Sequence, residues 1–226
     1  MHGNSAPVTS NQSRPHEDLP EVVRLHLNST WRRPVPQHTL RAFETVESRL
    51  CCLGHRPLIL DSGCGTGESS RFLARTHPDH VVIGIDKSES RLRRARTSEY
   101  ENLLIARADL FDFWRLISAA GWQVSEHYLL YPNPWPKKKD LRKRLHGHPV
   151  FKNLVSLSPF LEVRSNWKLY LQEFSLALHL LTGGRRAPVR VYLPDAPITP
   201  FERKYLNSGH TLYRLQYRAN GPETVA

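Results

Sequence analysis

The sequence predicts an α/β fold, a doubly wound and mainly parallel sheet of about seven strands, and three observations carry that reading. Short apolar runs of β-forming residues alternate with stretches of helical period along most of the chain. One such run, residues 58–60, opens into a loop with glycines at alternate positions, Gly63, Gly65 and Gly67, followed by a helix start. That is how a parallel strand enters its crossover. Finally, Gly63, Asp86, Asp109, Asn133 and Asn166 each stand just past a predicted strand. In a parallel sheet those strand ends share one rim, and ligands bind beyond it.

The elements follow in order. Residues 1–20 are rich in Ser, Pro, Asn and His without apolar period, so they are expected to be disordered. Residues 22–36 mix Arg24, Arg32 and Arg33 with Trp31, a composition suited to RNA contact or to packing across the domain. Residues 1–36 are therefore read as a flexible basic arm, and 37–226 as one domain. Leu40, Phe43, Val46 and Leu50 recur at helical spacing over 37–53. Pro57 starts the first strand, which ends at Asp61, and Glu68 opens a helix. A second strand, 80–85, runs into Asp86. The helix predicted over 88–98 carries Arg91, Arg93, Arg94 and Arg96. After a third strand, 103–106, Asp109 can cap the helix 110–120 or accept a ligand hydrogen bond. A fourth strand, 126–131, stops at Pro132, and a fifth, 160–164, ends at Ser165, Asn166 and Trp167. The helix 168–181 closes at Gly183 and Gly184. Strands over 189–193 and 211–217 follow, with 199–208 helical or looped between them.

Composition narrows the partner more than the fold. Of 226 residues, 39% are hydrophobic, which suits a globular domain, but the net charge of +11 points to a polyanion. No apolar run approaches the ~18 residues of a membrane span, and the N-terminus lacks the apolar core of a secretory signal. A soluble, cytoplasmic protein is expected, with Cys51, Cys52 and Cys64 as free thiols. The twelve histidines are scattered without ligand spacing, so no metal is expected.

The glycine loop discriminates among nucleotide sites. A P-loop requires Lys followed by Ser or Thr after its last glycine, whereas Glu68 stands here. A dinucleotide fingerprint places its third glycine one position later and has no acid before the first. The order acid, x, Gly, x, Gly, x, Gly from Asp61 to Gly67 resembles the first motif of class I S-adenosylmethionine-dependent methyltransferases. Asp86, about 20 residues further on, stands where an acid accepts hydrogen bonds from ribose hydroxyls.

Residues 131–144, YPNPWPKKKDLRKR, are the most specific run. Three prolines in five residues stiffen the exit from the fourth strand and hold Asn133 and Trp135 over the rim. Lys137, Lys138, Lys139, Arg142, Lys143 and Arg144 follow, opposed by Asp140, a charge pattern suited to phosphates around a target base.

This segment resembles the PDPWxK element and basic run of the bacterial tRNA (guanine-N7)-methyltransferases. SNWKLY at 165–170 is similar to that family's TDWxxY, and TPFERKYLNSGH at 199–210 to its TKFExRxxxxGH. With the glycine loop the likeness spans about 56–217. It implies S-adenosylmethionine as cofactor, held by Asp61, Gly63, Gly65, Gly67, Asp86, Asp109 and Asn133. It implies tRNA as partner, with Lys137, Asn166, Thr199, Phe201 and Glu202 on the guanosine side and Lys138, Arg142 and Arg144 on RNA phosphates. Asn133, the candidate catalytic residue, replaces the family's acid in PDPW, and Asn166 replaces its acid in TDW. An amide keeps the hydrogen-bond acceptor and loses the charge. Asn133-Pro134-Trp135 also resembles the shorter motif of enzymes that methylate exocyclic or amide nitrogens. Three readings are thus open at this point: guanine N7, an amino nitrogen, or a binding paralogue without turnover.

Overall fold

A computed structural model of the chain describes residues 5–95 and 99–219. Helices α1 (Leu19–Leu27) and α2 (Gln37–Leu53) precede strand β1 (Leu58–Ser62). Then α3 (Glu68–Thr76), β2 (Val81–Asp86), α4 (Glu89–Leu92), β3 (Leu103–Arg107), α5 (Leu110–Ala120) and β4 (Val124–Leu130) alternate. Two 3-10 turns, Lys138–Lys143 and Leu145–Gly147, lead to α6 (Phe151–Ser156) and β5 (Phe160–Ser165). The chain continues through α7 (Lys168–Thr182), β6 (Val189–Tyr192), α8 (Pro200–Asn207) and β7 (Leu212–Arg218).

The seven strands form one sheet in the order β3-β2-β1-β4-β5-β7-β6. The first five are parallel, and β7 runs antiparallel to both β5 and β6. Every residue of β1 and β2 is buried, as a parallel strand covered by helices on both faces requires. From β1 the chain winds outward through β2 and β3, then returns to place β4 on the other side of β1. That reversal leaves a crevice beyond the carboxyl ends of β1 and β4.

The N-terminal segment differs from the flexible arm expected up to residue 36. Leu19, Val22 and Val23 are buried in the main core, and α1 packs on α7. Trp31 meets the His148 ring edge-on at 4.7 Å, so packing accounts for its place. The helix expected over 88–98 reaches only Leu92, and Arg96 lies outside the described residues.

A buried polar chain crosses the centre of the sheet. Trp114 Nε1 donates to Ser62 Oγ at 3.0 Å, and Ser62 Oγ pairs with His127 Nε2 at 2.8 Å. Burial pushes the His127 pKa down to about 3, so the folded protein keeps this imidazole neutral where an unfolded chain protonates it below 6.5. The depressed value makes stability fall as pH drops from 6.5 toward 3, by about 3 kcal/mol at pH 4 from this group. Denaturant unfolding at pH 7 and pH 4 measures it, and His127→Gln is expected to remove most of the difference.

Candidate active site

The glycine loop is built to present bare backbone. Gly63, Gly65 and Gly67 have φ of 81°, 60° and 74°, in the left-handed region where a Cβ is strained. A Cβ added at Gly63 would meet nothing within 4 Å, and one at Gly65 only the Arg91 guanidinium at 3.9 Å. Both therefore face open space. Gly67 serves packing instead, since a Cβ there would lie 3.2 Å from that of Ala95. Gly63 and Cys64 each donate a backbone N–H to the Ile85 carbonyl, at 2.7 and 3.0 Å, which pins the loop to the end of β2.

The two acids flanking the loop do different work. Asp61 is buried, and its Oδ2 accepts from the Ser69 and Ser70 hydroxyls at 2.6 Å each. Burial raises its pKa while those hydroxyls favour the charged form. It ties β1 to the first turn of α3 and shapes the loop from beneath. Asp86 closes the loop from the side: Oδ2 accepts from Gly65 N at 3.0 Å, and Oδ1 from Ser88 N at 2.7 Å, with Arg91 also 3.0 Å away. Asp109 caps α5 through Phe111 N at 3.0 Å, and its other oxygen lies 3.6 Å from Arg33. Cys64 is buried and its thiol is pushed well above the ordinary value, chiefly by burial, so it is no nucleophile at neutral pH.

Across the crevice, β4 and β5 run in register with Leu130 opposite Arg164, and Asn133 and Asn166 follow these strand ends. The Asn133 loop is strained at two non-glycine residues, Tyr131 with φ 57° and Trp135 with φ 45°. Such conformations cost on the order of 1–3 kcal/mol each and cluster at functional sites. Asn133 is exposed, and its Oδ1 accepts from Trp135 N at 3.3 Å. Asn166 Nδ2 lies 3.0 Å from His210 Nδ1, and His210 Nε2 lies 3.0 Å from the Ser5 carbonyl. A neutral His210 therefore donates through Nε2 and accepts from the amide. In α8, Phe201 is exposed and stacks on Tyr205. Thr199 and Glu202 are buried: the Thr199 hydroxyl accepts from Glu202 N at 2.9 Å and caps the helix, while the Glu202 carboxylate bonds inside the protein. Both hold α8 in place from within the protein, which differs from the direct substrate contact that the resemblance implied for them.

One sequence-predicted RNA contact is corrected. Arg144 is wholly buried: its Nε donates to the Trp135 carbonyl at 3.1 Å, one guanidinium nitrogen pairs with Glu173, and the other reaches Gln12 Oε1 at 3.1 Å. A phosphate has no access to it. Lys137, Lys138, Lys139, Arg142 and Lys143 are exposed. Lys138 pairs with Glu17 at 2.7 Å, and Lys143 with Asp140 at 3.0 Å. An open cleft of about 880 Å³ separates Lys137, Lys138 and Lys139 from Ser10, Asn11 and His16. Sequence reasoning missed Ser69, Ser70, Arg164 and Glu173: the two serines reach back across the glycine loop to Asp61, while Arg164 meets Glu202 and Glu173 meets Arg144 only in the folded chain. The one local hint is Ser69-Ser70 directly after Glu68 at a helix start. Among the described residues no three His, Cys, Asp or Glu side chains group to hold a metal, and no helix is long and apolar enough to cross a membrane.

The sequence and the fold also match known proteins. Residues 55–215 match the family model described as "Putative methyltransferase". A tRNA (guanine-N(7)-)-methyltransferase of Syntrophotalea carbinolica is 30% identical over 74% of this chain and 76% of its own length. The chain belongs to the tRNA (guanine-N7)-methyltransferase family. The Leifsonia xyli member is 28% identical over 72% of this chain and 76% of its own. The class I fold itself extends further. The 16S rRNA methyltransferase KamB superposes with a TM-score of 0.54 at 20% identity, covering 84% of this chain and 97% of its own. A 16S rRNA (adenine(1408)-N(1))-methyltransferase from Catenulisporales acidiphilia gives 0.52 at 21%, covering 82% and 94%. This family member is thus a methyltransferase on the fold of S-adenosylmethionine-dependent enzymes.

Proposed function

We propose that the protein transfers a methyl group from S-adenosylmethionine to N7 of a guanosine in tRNA, in the cytoplasm. The observation that carries this reading is the juxtaposition of the open glycine cradle at β1 with the strained Asn133 loop at β4, the adjacent strand across the crevice. The cradle fits the cofactor: Gly63 and Gly65 leave room for it, and Asp86 offers a fixed carboxylate for ribose hydroxyls. Asp109 lies at the same rim, where its carboxylate, already shared with Phe111 N and Arg33, keeps lone-pair capacity for an adenine amino group. When bound, S-adenosylmethionine supplies a methyl group on a positively charged sulfur.

Guanine N7 carries a free lone pair, so no base need remove a proton. The chain's task is to orient the base and to tolerate the positive charge it acquires. Asn133 and Asn166 supply hydrogen-bonding amides at the crevice, and Phe201 an exposed ring for stacking. Carboxylates at 133 and 166 would stabilise the cationic product further. The variant carrying Asn133→Asp and Asn166→Asp is accordingly expected to methylate N7 about 10- to 100-fold faster than wild type. Label incorporation into N7 of the same tRNA checks this, and equal or slower transfer would count against the guanine assignment.

The exposed lysines and Arg142 meet the RNA backbone, with Lys137 nearest the base because it directly follows the proline loop. Replacing Lys138, Lys139 and Arg142 together by glutamine is expected to weaken tRNA binding and lower the slope of log affinity against log salt by about 2–3. Cofactor affinity should not change. A retained slope would make this run a solvated face only.

A further inference from the structure

Tyr131 stands where β4 ends and the Asn133 loop begins, and its φ of 57° is one a tyrosine holds only when its surroundings over-determine it. Three contacts do so. Its N–H donates to the Arg164 carbonyl at 2.9 Å, its hydroxyl donates to Glu202 Oε1 at 2.7 Å, and its ring lies 5.5 Å from that of Tyr205. Burial and the neighbouring carboxylate push the phenol well above its ordinary pKa, which keeps it a donor.

Glu202 is the junction. Its Oε1 also accepts from Arg164 at 3.0 Å, and its Oε2 accepts from Ile198 N at 2.8 Å, just before α8. Arg164 is balanced on its other side by Glu162 at 2.6 Å and lies over the Tyr192 ring at 4.3 Å. Buried ionic groups of this kind stabilise no better than apolar residues of equal volume, so their use here points to geometry. Arg164 and Glu202 are both buried, out of reach of a substrate.

We infer that Arg164 and Tyr131 are positioning residues for methyl transfer: through Glu202 they fasten the exit of β4 to the start of α8, so that Asn133 and Phe201 are held against the same base. This rests on the reading that the Asn133 loop and α8 receive the guanosine. Arg164 belongs to none of the motifs that carry the family likeness. Its guanidinium joins two elements that the chain separates by more than thirty residues.

The test uses Tyr131→Phe, Arg164→Lys and Arg164→Gln in the full chain, with steady-state transfer at varied tRNA and S-adenosylmethionine, thermal melting, and amide hydrogen exchange. Tyr131→Phe is expected to lower kcat about 10-fold, with both KM values within about twofold and melting nearly unchanged. Arg164→Gln is expected to lose more, and Arg164→Lys to recover part of the loss. Exchange at the Tyr131 and Trp135 amides should quicken while β1 and β2 keep their protection. Unchanged kcat in Tyr131→Phe would overturn the inference, as would losses that track melting temperature across all three variants. If wild type methylates no tRNA, the guanosine reading fails by itself and exchange alone decides: an unchanged Tyr131 amide in Tyr131→Phe would overturn the fastening.

Discussion

Asp86→Ala is expected to weaken S-adenosylmethionine binding by about 100- to 10,000-fold, the effect of losing two hydrogen bonds to a charged acceptor. The carboxylate is buried and already oriented, with Gly65 N and Ser88 N as backbone donors. The substitution therefore removes a prearranged acceptor and also frees the loop that Gly65 anchors. Arg91, 3.0 Å from Oδ1, loses its partner as well. Calorimetric titration of the folded variant measures the effect, with Asp86→Asn separating charge from shape. Affinity within about threefold of wild type would remove Asp86 from the cofactor site.

Glu173→Ala is expected to cost about 3–5 kcal/mol of stability, because it strands a buried guanidinium. Glu173 and Arg144 are both wholly buried, and Glu173 also accepts from His16 N at 2.8 Å and meets His146 Nε2 at 3.1 Å. Burial opposes its charge, but the His146 bond and Arg144 outweigh burial and hold its pKa to about 2. The depressed value means the stabilisation is complete above pH 4.5 and is lost as pH falls toward 2. At neutral pH the variant should melt about 10 °C lower, and the segment around Gln12 and His16 should become accessible to protease. Arg144→Met is expected to act the same way while leaving the salt slope of tRNA binding intact. A stable Arg144→Met with a reduced slope would restore Arg144 as a phosphate contact.

Arg144 also shows where sequence reasoning ends. It stands beside Arg142 and Lys143 and carries the same charge, yet only these two are exposed. What separates them is Glu173, 29 residues away and within reach only after α7 packs. Elements with local instructions were read closely: α2 spans Gln37–Leu53 as its apolar spacing predicts, and α5 spans Leu110–Ala120 with Asp109 as its cap and Gly121 at its end. The parallel order and the rim that collects Gly63, Asp86, Asp109, Asn133 and Asn166 follow from the same alternation. The N-terminal helix escaped because Leu19, Val22 and Val23 form too short a stripe to compete with the polar residues before it. Glu202 was visible as a motif residue, but its burial beneath Tyr131 depends on contacts between β4, β5 and α8. Motifs thus pointed to one rim of the sheet, whereas the tertiary structure separated exposed groups such as Asn133 and Phe201 from buried ones such as Arg144 and Glu202.

The central claim is tested most directly by incubating the purified chain with S-adenosylmethionine labelled in its methyl group and tRNA lacking base modifications, then digesting the RNA and identifying the labelled nucleoside. The predicted result is label in 7-methylguanosine, lost in Asp86→Ala. Label in an N-methylated adenosine or an exocyclic amine, or none in tRNA despite intact cofactor binding, would contradict it.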